Sequence, residues 1–467
     1  MTKIKKIFIF IILLKFSYLY IIFPFKTRKS YINDSEKNLT KLFRSLIYNH
    51  IYINLEIGEP KQIIDAFLIL EKTQFYLSDS NNDIKTNSPN PSIEDVGSNI
   101  ENFYDKNKSE TIEITNITRN TYYGGPHEGK VIKDYLYFKI DSNEVIKIKF
   151  NTTLYNTTLG NMPAKLGLGF INYQGDKEYN FIDQLKSNDI INSYFWMINY
   201  TSDYEGNFII GEQPHIFDPI NFKENELTKT NPLVNPTMDE LGLRFDEITF
   251  KNKSFRPYLE CIFKYEFNYI RGIPEIEEEL DKYFNESIEN GTCFKEYIEY
   301  PYGPNKFYYC NKEKYKSNIE YFPPLKFEHK ELNFTFELNY KDLFMEKDDK
   351  LILMIFFFEN GMKWNLGKPF LRKYPFLINQ DSKTVGFYKR NKHNYDNNNN
   401  DNRDNITLKI ILIILGLIVL LVIGIFIGKY YLNSKKKNRN INIIDDDYDY
   451  QTKNDEIFIP SKNDENN

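Results

Sequence analysis

The 467-residue sequence predicts an all-β chain, long enough for two domains and tethered by one C-terminal transmembrane helix. Three observations predict it. Residues 51–57 alternate Ile51, Ile53, Leu55 and Ile57 with Tyr52, Asn54 and Glu56, the period of two that a half-buried strand requires. Glycine and proline interrupt such runs at Gly58-Glu59-Pro60 and at Gly124-Gly125-Pro126, as hairpin tips do. Residues 410–428 are apolar and uncharged, enough to cross the hydrocarbon core of a bilayer.

At the N-terminus, Lys3, Lys5 and Lys6 precede an apolar run over residues 7–14 and then a second, aromatic-rich run. That is the layout of a secretory signal peptide over residues 1–25, cleaved or kept as an anchor. Residues 26–45 are polar and irregular, a spacer or the remnant of a pro-segment. At the other end the expected span covers residues 406–428. Lys429, Lys435, Lys436, Lys437 and Arg439 follow it, and positive residues on that flank point to a cytosolic C-terminus. A glycolipid signal would end on its apolar tail, whereas here an acidic tail over residues 429–467 remains. The expectation is a single-pass type I membrane protein of the secretory pathway or cell surface, with the lipid bilayer as its first partner. In the tail, Tyr448 and Tyr450 lie among Asp445, Asp446, Asp447 and Asp449, a site for cytosolic sorting adaptors or a solvated segment.

Composition bounds the chemistry. Lys and Arg number 60 against 65 Asp and Glu, a net charge of −5 that is spread along the chain, so nucleic acid is not implied as a partner. About a dozen N-x-S/T sequons, among them Asn107, Asn116, Asn151, Asn156, Asn199, Asn285 and Asn333, permit glycosylation. Of three cysteines, Cys293 and Cys310 enclose a short loop, and a bridge closing it is worth about 3 kcal/mol on the chain-entropy account. Cys261 is left over, as a buried thiol or one half of an intermolecular bridge. No G-x-S-x-G elbow and no phosphate-binding glycine loop occurs, so no cofactor is expected. His50, His127, His215, His329 and His393 lack metal-ligand spacing, so no metal is expected either.

Motifs along the luminal part carry a resemblance. Residues 51–78, IYINLEIGEPKQIIDAFLILEKTQFYLS, place Gly58, Pro60 and Gln62 and then the pair Phe75-Tyr76 at telling intervals. They resemble the opening of a pepsin-like aspartic peptidase, "IGTPPQ" followed by hydrophobic-hydrophobic-Asp-Thr-Gly and a hydrophobic-Trp pair. After a polar stretch over residues 79–110, read as an exposed loop, Tyr123-Gly124 resembles the start of that family's flap. Lys165-Leu166-Gly167-Leu168-Gly169 is similar to its "GILGLG", a helix follows over 181–185 and a strand over 190–198, and residues 206–211 resemble "G-x-L-x-F-G". Residues 259–273, LECIFKYEFNYIRGI, match the second Asp-Thr-Gly region, and residues 274–284 suit the helix after it. Cys293 and Cys310 fall where the family keeps a disulfide. Residues 364–374, WNLGKPFLRKY, with 383–387, KTVGF, resemble "W-I-L-G-D-x-F-L-R-x-Y" and "x-V-G-F".

The resemblance implies a bilobal, all-β pepsin-like acid protease fold. Its N-terminal lobe would span residues 46–217 and its C-terminal lobe 218–390, with an Asn-rich stalk over 391–405. It also locates the site. The family's two aspartate positions are Ile69 and Lys264 here, and the triplets read Ile69-Leu70-Glu71 and Lys264-Tyr265-Glu266. The aspartic mechanism needs two carboxyl groups that share one proton, one as base and one as acid. Ile69 cannot ionise and Lys264 brings a cation. Glu71 and Glu266, at the glycine positions, are read three ways: a displaced glutamate dyad, a partner for the Lys264 cation, or solvated loop carboxylates. Tyr123 would bind a ligand from the flap. The leading expectation is a non-catalytic protein that holds a polypeptide in the former cleft. The alternatives are an active aspartic-type endopeptidase using Glu71 and Glu266, and a surface protein whose cleft is filled.

Overall fold

β-Strands make up about half of the described residues, some alternating in burial and others buried on both faces. The computed structural model describes residues 20–27, 50–70, 72–80, 102–121, 127–139, 145–155, 163–170, 174–235, 240–256, 260–300, 303–358 and 363–389. Within the unit 1–389 the first half supplies strands β1 (Ile21–Thr27), β2 (Ile51–Ile57), β3 (Gln62–Ile69), β4 (Phe75–Ser78), β5 (Glu113–Thr121), β6 (His127–Lys139), β7 (Val145–Tyr155), β8 (Ala164–Gly167), β9 (Phe195–Tyr200) and β10 (Glu205–Ile210). The second half supplies β11 (Leu227–Thr230), β12 (Leu233–Asn235), β13 (Glu240–Arg244), β14 (Glu247–Phe250), β15 (Lys253–Phe255), β16 (Glu260–Phe263), β17 (Ile270–Arg271), β18 (Cys293–Tyr300) and β19 (Gly303–Asn311). After these come β20 (Leu325–His329), β21 (Phe334–Leu338), β22 (Phe344–Lys347), β23 (Lys350–Leu353), β24 (Ile355–Phe358), β25 (Trp364–Leu366), β26 (Phe376–Asn379) and β27 (Thr384–Tyr388).

In β2 the four aliphatic residues are buried and Tyr52, Asn54 and Glu56 face outward or half outward, as the alternation requires. Gly58, at φ +80°, makes the turn into β3, in the left-handed region that glycine enters without steric cost. The helix expected near 181–185 is Phe181–Ser187, capped by the Asn180 side chain on the Asp183 amide. The acidic stretch after residue 273 is the helix Pro274–Glu289, with proline in its first turn and Ile276, Leu280 and Phe284 buried along one face.

A 13-stranded sheet runs β11-β27-β26-β9-β10-β1-β2-β3-β8-β4-β7-β6-β5. Its first six strands mirror one another about the β26–β9 pair. From that pair outward, β27 and β11 on one side answer β10 and β1 on the other. Strand β26 of the second half thus pairs with β9 of the first, with β27 next to it. A 10-stranded sheet and a four-stranded sheet, β15-β14-β20-β21, complete the second half. Cys293 and Cys310 are bonded to each other, and Cys261 is buried apart from that bridge.

Two expectations are corrected. Residues 21–25 were assigned to a leader and 26–27 to a spacer, yet Ile21–Thr27 is one strand whose burial alternates strictly. Ile21, Phe23 and Phe25 point into the core while Ile22, Pro24 and Lys26 point out; read only as an apolar run, the segment hides this period. The stretch 79–110 was read as an exposed loop. Its described part is instead an anchor: Tyr104 is fully buried, and Asp79 meets the Lys106 amine at 2.8 Å. The Asp134 carboxylate accepts hydrogen bonds from Tyr104 at 2.6 Å, Ser109 at 2.7 Å and Thr111 at 2.5 Å. Among the described residues no helix is long and apolar enough to cross a membrane. The span expected over 406–428, the stalk and the tail lie outside the described residues.

Candidate functional site

Each half of the fold carries the same device, a middle strand threaded between two arms of a loop. In the first half β8 lies parallel to β3 and antiparallel to β4. The loop between the arms is tied down from β8 and its extension. Gly167 donates its amide to Gln74 O at 3.0 Å, Leu168 to Ile69 O at 2.8 Å and Gly169 to Lys72 O at 2.8 Å. The buried Asn180 amide adds a bond to Thr73 O at 2.5 Å. Glycine at 167 is required by this approach, because a Cβ there would lie 2.5 Å from the Gln74 nitrogen and 2.6 Å from the Lys72 carbonyl.

In the second half β25 lies parallel to β16 and antiparallel to β17. Lys264 donates its amide to Leu366 O at 3.0 Å, and Lys368 donates its own to Phe267 O at 2.8 Å. A Cβ on Gly367 would fall 2.1 Å from Tyr269 O. The register that puts Ile69 at the end of β3 and Lys264 just past β16 follows from these pairings.

At those positions Ile69 is half-buried and Lys264 is buried. The Lys264 amine lies 3.8 Å from the Glu266 carboxylate. Burial pulls Lys264 below the usual 10.5 and Glu266 partly offsets it. Burial pushes Glu266 above the usual 4.5, again opposed by the lysine. Of the three roles weighed for Glu266, pairing with the Lys264 cation is the one the geometry displays. Glu71 and Tyr123 lie outside the described residues.

A proton-sharing pair needs two carboxyl groups in hydrogen-bonding reach of one water. Here the end of one arm is a hydrocarbon and the other presents an amine held by its own loop's carboxylate. Among the described residues no three His, Cys, Asp or Glu side chains gather as metal ligands.

Three further features escaped sequence reasoning. Lys165, in β8, is buried, and desolvation together with the nearby Lys72 charge holds its amine well below the lysine range. Its sequence signal is a lysine where "GILGLG" has an aliphatic residue. Lys368 replaces the acidic residue of "W-I-L-G-D". Its amine donates to the Asp203 carbonyl, lies 4.9 Å from the centre of the Tyr204 ring, and is pushed down to about 8 by burial. Arg372 reaches the Asp203 carboxylate, so the second loop's support is tied to the β9–β10 turn. Between these elements Tyr200 and Tyr265 bury phenol groups that find no hydrogen-bond partner among the described residues, and burial raises both well above the phenol range.

No protein-family model matches the sequence, and no curated protein matches it. Solved structures do. Basic 7S globulin from soybean superposes with a TM-score of 0.56 at 13% identity, over 80% of this chain and 96% of that one. Conglutin gamma, a basic 7S globulin from lupine seeds, gives a TM-score of 0.55 at 12% identity, with the same 80% and 96% coverage. Likeness at this identity is one of fold. The chain has the two-lobed, mostly β, pepsin-like fold that its motifs led us to expect.

Proposed function

We propose that this chain is a non-catalytic member of the pepsin-like fold, and that its cleft holds a polypeptide without cutting it. The observation that carries the proposal is Lys264, buried at the second aspartate position with its amine 3.8 Å from Glu266. A cation there can neither take a proton from water nor share one with a partner acid. The sheets and the described parts of both threaded loops keep the scaffold, while the two family aspartate positions carry Ile69 and Lys264.

The alternative, an active aspartic-type endopeptidase working through Glu71 and Glu266, would require Glu266 to exchange its lysine for a second acid. Membrane attachment belongs to the same proposal: residues 406–428 and the basic flank after them support a type I glycoprotein with this fold on the luminal or outer side.

The test uses the full-length protein in detergent. A reduced, carboxymethylated polypeptide is titrated in, and the complex is analysed by mass. Saturable binding with the polypeptide recovered intact is expected. Absence of saturable binding at micromolar protein removes the binding role.

A further inference from the structure

Residues 1–25 were expected to form a leader, cleaved or kept as an anchor, and residues 26–45 a spacer, yet residues 21–27 form one strand across that boundary. β1 pairs with β10 over six positions, from Ile21 opposite Ile210 to Lys26 opposite Glu205. On its other edge Phe25, Lys26 and Thr27 pair with Ile53, Tyr52 and Ile51 of β2. In the order β10-β1-β2 it is the strand that joins the interlobe half of the 13-stranded sheet to the N-terminal half. Its inward side chains are core. Phe23 lies 6.1 Å from the Phe181 ring and 6.2 Å from that of Phe138, and Phe25 meets Tyr200 edge-on at 5.2 Å. Gly206 leaves the space Phe25 fills, since a Cβ there would be 2.4 Å from its ring. Thr27 donates its amide to Tyr204 O at 2.7 Å, and Tyr20 stacks on Phe217 at 4.2 Å.

The mirrored order of the interlobe strands agrees with this. β11 flanks β27 on one side, and β1 fills the corresponding place beside β10. Cutting after residue 25 would take Ile21, Phe23 and Phe25 out of the core and leave the facing edges of β10 and β2 without their partner, polar backbone groups that a folded protein satisfies.

We infer that residues 20–27 are a permanent strand of the mature protein, and that any endopeptidase removing the apolar leader cuts on the N-terminal side of Tyr20. Processing would then leave the hydrophobic run over residues 7–14 as the part that can be lost, and β1 as the first structural element of the product.

Two experiments test this. The full chain is produced through a eukaryotic secretory pathway, purified in detergent and its N-terminus determined by peptide mass spectrometry. A first residue at Tyr20 or earlier, the uncut chain included, is expected; a first residue at Ile21 or later in folded protein overturns the inference. The second experiment compares Phe23→Asp and Phe25→Asp with Ile22→Asp, whose position is 38% exposed. The two inward substitutions should lower the yield of folded protein at least about tenfold, while the outward one stays within about twofold of wild type. A leader is read as a continuous apolar run and gives no such alternation. Equal effects at all three positions, or no effect at any, would overturn the strand's role.

Discussion

Lys264 and Glu266 form a buried pair in which each group loses water and neither regains all of that loss from the other. Taking away one partner of such a pair is costly, whereas replacing both is often neutral. Glu266→Gln should therefore lower stability by about 1–3 kcal/mol, below the upper end for buried pairs because the carboxylate side chain is 21% exposed. Lys264→Met combined with Glu266→Gln should return to within about 1 kcal/mol of wild type, measured by denaturant midpoints. The pH dependence has a defined sign. Burial raises Glu266 above 4.5, so the folded state holds that proton more tightly, and stability falls as pH climbs from 4.5 through the raised value. Lys264 is lowered from 10.5, so stability rises as pH climbs from its lowered value to 10.5. The double variant should flatten both windows; unchanged slopes would mean that other groups produce them. The substitution at 264 was legible in the sequence, because Cys261-Ile262-Phe263 and Tyr269-Ile270 fix the register around it. The burial of Lys165 was not, since lysine in isolation reads as surface and only the packed strands around it decide otherwise.

The threaded loops depend on two backbones approaching within the space that one side chain would occupy. Gly167→Ala and Gly367→Ala should each cost about 3 kcal/mol or more, because the atoms in the way belong to the backbone and cannot rotate aside. Gly291→Ala is the control. It has open space but sits at φ +68°, so its cost should be only the left-handed penalty of about 1–2 kcal/mol. Equal losses at all three would show that the close approaches are not what those glycines serve. Strands and helices whose pattern is local were readable: β2 by its alternation, Pro274–Glu289 by its acidic start and apolar stripe. β1 was not, because its period of two lies inside a run that is apolar throughout and its partner β10 is far along the chain. The anchor made by Tyr104, Ser109 and Thr111 was hidden for a related reason. A polar composition predicts exposure, and only the partner Asp134, on β6, makes burial affordable.

On the scale of the molecule, two lobes share one sheet through the β26–β9 pair; the first loop's arms, β3 and β4, belong to that sheet and the second loop's, β16 and β17, to the 10-stranded sheet. The order of motifs along the chain conveyed this architecture, since no single motif is specific but their sequence is. It could not convey the sharing of the sheet by both halves, which arises from pairings between β9 and a strand near residue 377. The ties from Lys368 and Arg372 to Asp203 belong to that shared frame and join the second loop's support to the first half. That an aliphatic residue and a cation stand at the two family positions within this frame is what the proposed non-catalytic role rests on.

The decisive measurement is proteolysis of a denatured protein substrate by the full-length chain between pH 3 and 6, with and without a statine-type mimic of the tetrahedral intermediate, read by peptide mass spectrometry. With Ile69 and Lys264 at the two family aspartate positions, the protein should release no fragment that the mimic suppresses. Fragments that vanish with the mimic, and vanish again in Glu266→Gln, would show that a working carboxyl pair exists in the cleft and would contradict the account.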